Sequence, residues 1–116
     1  MADPDETLQR RLAELRDRFV AGFAERMSTM QGGAEQLEGA SSLDEALAAL
    51  KVIRAEAHKL VGTAATFGFA LAGDAAGVLE ASCDALIENG AMPSPDDRNR
   101  LSDQITAVER ETPISS

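Results

Sequence analysis

No stretch of this sequence alternates apolar and polar residues as a half-buried strand does. Instead, apolar residues return every three or four positions in four separate segments, at about 4–31, 43–67, 69–89 and 95–111. The first carries Leu8, Leu12, Leu15, Phe19, Phe23, Met27 and Met30 on one stripe, with Arg10, Arg11, Asp17, Arg18 and Glu25 on the other face. The second repeats the pattern through Leu43, Leu47, Leu50, Ile53, Ala57, Leu60, Ala64 and Phe67. The third is poorer in bulk, with Leu71, Ala75, Val78, Leu79, Ser82 and Leu86, and the fourth offers Leu101, Ile105 and Val108. A helix with one apolar stripe must bury it against another element. Four such helices with short connections do so best as an antiparallel up-down four-helix bundle, an all-α fold. The composition agrees: 44% of residues are hydrophobic but only 3% aromatic, with no Trp or Tyr, so the residues that strands favour are scarce.

The punctuation supports these boundaries. Asp3, Pro4 and Glu6 open the first helix in a capping-box arrangement, and Ser42 with Glu45 opens the second in another. Gly32-Gly33 reads as the stop of the first helix, and residues 32–41, a mixture of Gly, Glu, Gln, Ala and Ser, as a linker. Gly68 marks a chain reversal, Asn89-Gly90 ends the third helix, and Ser94-Pro95 starts the fourth with Asp96 and Asp97 in its first turn. The fourth stops before Pro113, leaving a loose tail of Ile114, Ser115 and Ser116. Gly73 and Gly77, four apart, suit the close approach of a neighbouring helix.

The totals bound the function. A chain of 116 residues makes one domain, 1–116, with one modest core. Its net charge of -9 argues against nucleic-acid or anionic-membrane surfaces, which need clustered Lys and Arg, and suits partners with a neutral or basic face. One cysteine allows no internal disulfide, the N-terminus Met1-Ala2-Asp3-Pro4-Asp5-Glu6 is acidic where a signal peptide is basic, and no apolar run is long enough to span a bilayer. A cytoplasmic protein is expected. Cys83, Met27 and Met30 read as core residues. With one His and one Cys on different helices there is no metal-ligand set, and no glycine loop of the phosphate-cradling kind follows a strand. Stand-alone turnover of a small molecule has no apparatus here.

One residue stands apart. His58 is the only histidine, set on the shoulder of the second stripe about 100° from Ala57, so that its ring stands out of the core. One turn on lies Gly62, a residue type that costs about 1 kcal/mol in mid-helix relative to Ala. Ala65 follows on the same face, with Val61 alongside. The imidazole is thus bordered by small or apolar groups, as close approach by another molecule requires. A single exposed imidazole suffices to accept a phosphoryl group. The ordinary pKa of an imidazole leaves it largely neutral and nucleophilic near pH 7, and phosphoryl transfer asks chiefly for alignment and charge neutralisation.

The motif His58-x-Leu60-x-Gly62-x-Ala64-x-x-x-Gly68 resembles the phosphoacceptor motif of histidine-containing phosphotransfer (HPt) domains, including those of chemotaxis-type histidine kinases, which residues 66–69 also resemble. The family pattern has a lysine three positions after the histidine, where this chain has Val61. The resemblance implies a phosphorelay: His58 takes a phosphoryl group from a receiver-domain aspartate and passes it to another response regulator. The chain needs no cofactor of its own, since the receiver brings the magnesium ion. Glu80, on the third helix, occupies the position of a glutamate that contacts the ring in chemotaxis-type domains. Such a carboxylate would hold Nδ1–H and leave Nε2 as the nucleophile. Arg54 and Lys59 are candidates to neutralise the phosphoryl charge, and Val61, Gly62 and Ala65 to form the docking face. A monomeric phosphoryl carrier working between a histidine kinase and a response regulator is expected. Met1 and the four complete helices favour a separate protein. The rival readings are a phosphoacceptor domain cut from a larger hybrid or chemotaxis kinase, and an adaptor bundle that binds a receiver without carrying phosphate.

Overall fold

The computed structural model describes residues 3–111, which form four α-helices: α1 (Pro4–Glu38), α2 (Leu43–Thr63), α3 (Ala70–Asn89) and α4 (Pro95–Arg110), with a 3₁₀ turn at Ala65–Phe67. The helices pack in a ring, each against the next in chain order and α4 closing onto α1. Cross-helix bonds show that neighbours run antiparallel. Arg54 pairs with Asp84 and His58 with Glu80, so the chain rises on α2 as it falls on α3. Glu38 meets Arg98 and Gln31 meets Glu109 in the same sense between α1 and α4. Phe23, Met27, Met30, Leu50, Ile53, Leu60, Leu79, Cys83, Leu101 and Val108 fill the core.

The first helix departs most from the sequence expectation. It runs to Glu38 rather than stopping near residue 31, and the expected linker shrinks to residues 39–42. Gly33 explains the difference. It is buried within α1, and a Cβ added there would lie 2.8 Å from Ile53 Cγ1 of α2. The glycine lets two helices approach rather than ending one, and packing offsets its low helix propensity. At the other end Leu8, Leu12 and Leu15 belong to the core by their spacing, yet they are 57%, 55% and 46% exposed. The reason is length. The first helix has 35 residues against 21 in α2, and since every α-helical residue adds the same rise, α1 must outrun its neighbours. α2 and α3 give out near Phe19, which stacks on Phe67 and Phe69 in the connection between them, while α4 ends sooner, with Glu109 beside Gln31. The first half of α1 continues alone along the long axis of a molecule measuring 62 × 21 × 20 Å.

The remaining elements need smaller corrections. The second helix ends at Thr63, and the 3₁₀ turn carries the chain to Gly68, whose φ of 89° makes the reversal. Leu71 and Val78, expected inward on α3, are exposed; its buried stripe is Ala72, Gly73, Ala76, Leu79 and Cys83. The third helix meets α2 through its smallest side chains, and a Cβ on Gly73 would already touch Ala64 Cβ at 3.6 Å. Two of the three capped helix starts differ from the expected boxes by one position. Asp3 accepts from the Asp5 N–H, and Glu45, while donating its N–H to Ser42 Oγ, accepts from Ser41. Ser94 and Asp97 form a full reciprocal box, and the Ser94 N–H holds the Asp97 carboxyl below the usual carboxylate range. The expected loose tail lies outside the described residues. No helix among those described is long and apolar enough to cross a membrane.

Candidate functional site

The α2–α3 seam is built from residues that leave no room inside it. Ala57 and Leu60 of α2, Ala64 just past its end, and Ala72, Ala76 and Leu79 of α3 are all fully buried. His58, one position round from Ala57, is consequently turned out of the bundle, and its side chain is 68% exposed. It is not free to swing. Its Nδ1 lies 2.5 Å from Glu80 Oε2 on α3, and the Glu80 side chain is only 19% exposed. An ionised carboxylate can only accept, so in this pair Nδ1 carries the proton and a neutral ring keeps its lone pair on Nε2, at the outer edge.

The surroundings of the ring are bare. A Cβ on Gly62 would meet nothing within 4 Å, so packing within the chain does not require glycine there. Ala65 is exposed in the 3₁₀ turn, and Val61 is 40% exposed, its Cγ2 3.9 Å from where a Gly77 Cβ would stand on α3. His58, Val61, Gly62 and Ala65 therefore share one open face.

The two cations are engaged elsewhere. The Arg54 guanidinium, one turn before His58, is hydrogen-bonded to Asp84 of α3, which raises its pKa further. Lys59 lies on the α1 side of α2, with its Nζ 3.6 Å from Glu56 Oε1, while Arg26 of α1 holds the other oxygen of Glu56 at 3.3 Å. Sequence reasoning misses Asp84 and Glu56. A signal for Asp84 is nevertheless present: in antiparallel helices, the residue one turn after Glu80 must face the residue one turn before His58.

Among the described residues no group of three His, Cys, Asp or Glu side chains could hold a metal ion. Cys83 is buried against the core and its thiol is pushed up to about 12 by that burial, so it is no nucleophile at neutral pH.

Compared with known proteins, residues 6–111 match a family model described as Hpt domain. No curated protein and no solved structure matches the chain.

Proposed function

This chain belongs to the Hpt domain family, and from that membership we propose that His58 accepts a phosphoryl group from a receiver-domain aspartate and delivers it to a second response regulator. Hpt domains are phosphocarrier modules of phosphorelay signalling rather than enzymes, and they interact with receiver domains and kinases. The observation that carries the assignment of His58 is its geometry: an outward, 68% exposed ring bonded to Glu80 through Nδ1, one turn before Gly62, where a Cβ would meet nothing within 4 Å.

In the proposed step the Nε2 lone pair attacks phosphorus in line with the acyl-phosphate oxygen. The P–O bond breaks, and the aspartate leaves as a carboxylate with the bonding pair. The Nδ1 proton stays on the ring, and Glu80 balances the positive charge that develops as Nε2 becomes bonded. The reverse attack, by the carboxylate of the next receiver, regenerates the neutral imidazole. Magnesium arrives with the receiver. Val61, Gly62 and Ala65 give the partner a surface without obstruction. Arg54 neutralises the incoming charge by leaving Asp84, an exchange that costs little because both partners face water and such ion pairs are weak. Lys59 does so by leaving Glu56, which keeps Arg26 as its partner.

Mixing the protein with a radiolabelled, phosphorylated receiver tests this directly. An acid-labile, base-stable label is expected, and none on His58→Gln. Label that persists in that variant refutes the assignment; binding without label on the wild-type chain favours the adaptor reading.

A further inference from the structure

We propose that the overhanging first half of α1 is a second docking site, shaped for an amphipathic helix whose apolar seam is edged by Asp and Glu. Every residue from 3 to 18 is exposed, and Leu8, Leu12 and Leu15 form a continuous stripe that no part of the described chain covers. The stripe does not stop at the bundle. It runs on into Phe19, whose ring stacks on Phe67 at 5.0 Å and on Phe69 at 5.6 Å, so a partner helix laid on it would abut a firm aromatic platform.

The charges beside the stripe choose the occupant. At about 100° per residue, Arg11 and Arg16 lie about 70° to either side of its midline and Arg18 about 90°, so Arg11 and Arg18, expected on the opposite face, flank the stripe instead. Glu6, Glu14 and Asp17 lie about 130° or more away, on the far face, and Asp5 precedes the first leucine. Arg16 is held in place, its guanidinium carbon 5.0 Å from the centre of the Phe69 ring. A chain with a net charge of -9 thus presents its exposed leucines between arginines, reversing locally the preference for neutral or basic partners that its overall charge sets. In heptad terms Leu8 and Leu15 are d positions and Leu12 and Phe19 are a positions, with Arg11 and Arg18 at g and Arg16 at e. A second copy paired in parallel would set Arg11 against Arg16, and one paired antiparallel would set Arg11 against Arg18. Both pairings place like charges at the positions that decide partner choice.

A bilayer fits less well. The overhang is collinear with the bundle, as the narrow 21 × 20 Å cross-section shows, so a first half lying flat on anionic headgroups would press the acidic bundle against them. The seam is also shorter than a permanent interface needs, which suits a transient helix. The partner expected is an acidic amphipathic helix.

The probes are two three-heptad synthetic peptides with Leu at a and d, one with Glu and the other with Lys at e and g, titrated into the full chain and followed by amide NMR. The Glu-edged peptide is expected to shift the amides of residues 8–19, and to bind at least about tenfold more tightly than the Lys-edged one. Leu8→Ser/Leu12→Ser/Leu15→Ser should abolish the shifts while phosphoryl acceptance at His58 is retained. Arg11→Glu/Arg18→Glu should reverse the preference between the peptides. Equal response to both peptides, response to neither, a dimer by sedimentation, or binding to phosphatidylserine vesicles with no response to the Glu-edged peptide would each overturn the proposal. None of these outcomes depends on whether His58 carries phosphate.

Discussion

Glu80 Oε2 on α3 reaches across the helix seam to within 2.5 Å of His58 Nδ1 on α2, one turn along from the pairing of Arg54 with Asp84. The carboxylate is largely sheltered and the ring is open, so the bond orients the exposed partner from the less mobile one.

Glu80→Gln should therefore act on the ring before it acts on the fold. A bond to a charged group contributes about 1.5–3 kcal/mol where it is sheltered. With one partner open to water, about a tenfold slower acceptance is expected, with helicity unchanged. The decisive measurement is the ring ¹⁵N shifts at neutral pH. In the wild type they should report a proton on Nδ1, and in Glu80→Gln a mixture of tautomers. An unchanged tautomer would leave Glu80 without a positioning role.

At Gly62 stability and transfer should move in opposite directions. A Cβ there meets nothing within 4 Å. Gly62→Ala should therefore stabilise α2 by up to about 1 kcal/mol, read from the urea midpoint. The same methyl stands on the open face one turn after His58, where a docked partner would lie, so transfer from a phosphorylated receiver should slow, and Gly62→Leu should slow it much further. Transfer unaffected by leucine would show that the partner does not approach over this face.

The adjacent glycines of α1, Gly32 and Gly33, should respond with opposite signs. Gly32 faces open space, and Gly32→Ala should stabilise by up to about 1 kcal/mol. Gly33→Ala puts a methyl against Ile53 Cγ1, closer than carbon atoms pack. That overpacking should destabilise by about 1–3 kcal/mol. Paired denaturation curves check both.

Cys83 predicts an alkaline weakness. Its thiol, ordinarily near 9.0, is pushed up to about 12 by burial. The folded state thus holds a proton that the unfolded chain releases. The stabilisation is complete below the ordinary thiol pKa and is lost as pH rises through the window between the two values. Within that window the loss is about 1.4 kcal/mol per pH unit. The stability difference between wild type and Cys83→Ala should shrink over the same range, and at pH 8 the native thiol should resist alkylation that proceeds readily in urea.

The helices were legible in the sequence because stripe periodicity and capping residues report local geometry, and both persist in the folded chain. Depth was less legible. Leu8, Leu12 and Leu15 have the same spacing as Phe23, Met27 and Met30, but whether a stripe is covered depends on how far the other helices extend, which no periodicity within α1 records. Gly33 misleads for a related reason: a glycine that breaks a helix and one that admits a neighbour look identical until Ile53 is seen beside it. On α3 the bulky Leu71 and Val78 draw the stripe to the wrong face, because close packing against α2 selects alanine and glycine over size. At the site, antiparallel order places the third helix beside α2, while the contact of Glu80 with His58 is what the resemblance to chemotaxis-type domains implies. The pairing of Arg54 with Asp84 follows only once Glu80 is set opposite His58, whereas that of Lys59 with Glu56, three positions apart on α2, is a local contact that the stripe pattern does not single out.

The seam behind His58 is closed by alanines and leucines with no gap, and the imidazole stands entirely outside it. A group attached to the far nitrogen would alter charge at the surface and at the bond to Glu80 while leaving the buried packing between α2 and α3 in place. A carrier of the kind proposed needs no relaxed and tense forms to announce its loading: the message is the cargo itself, legible to a visitor that puts its own hand on it.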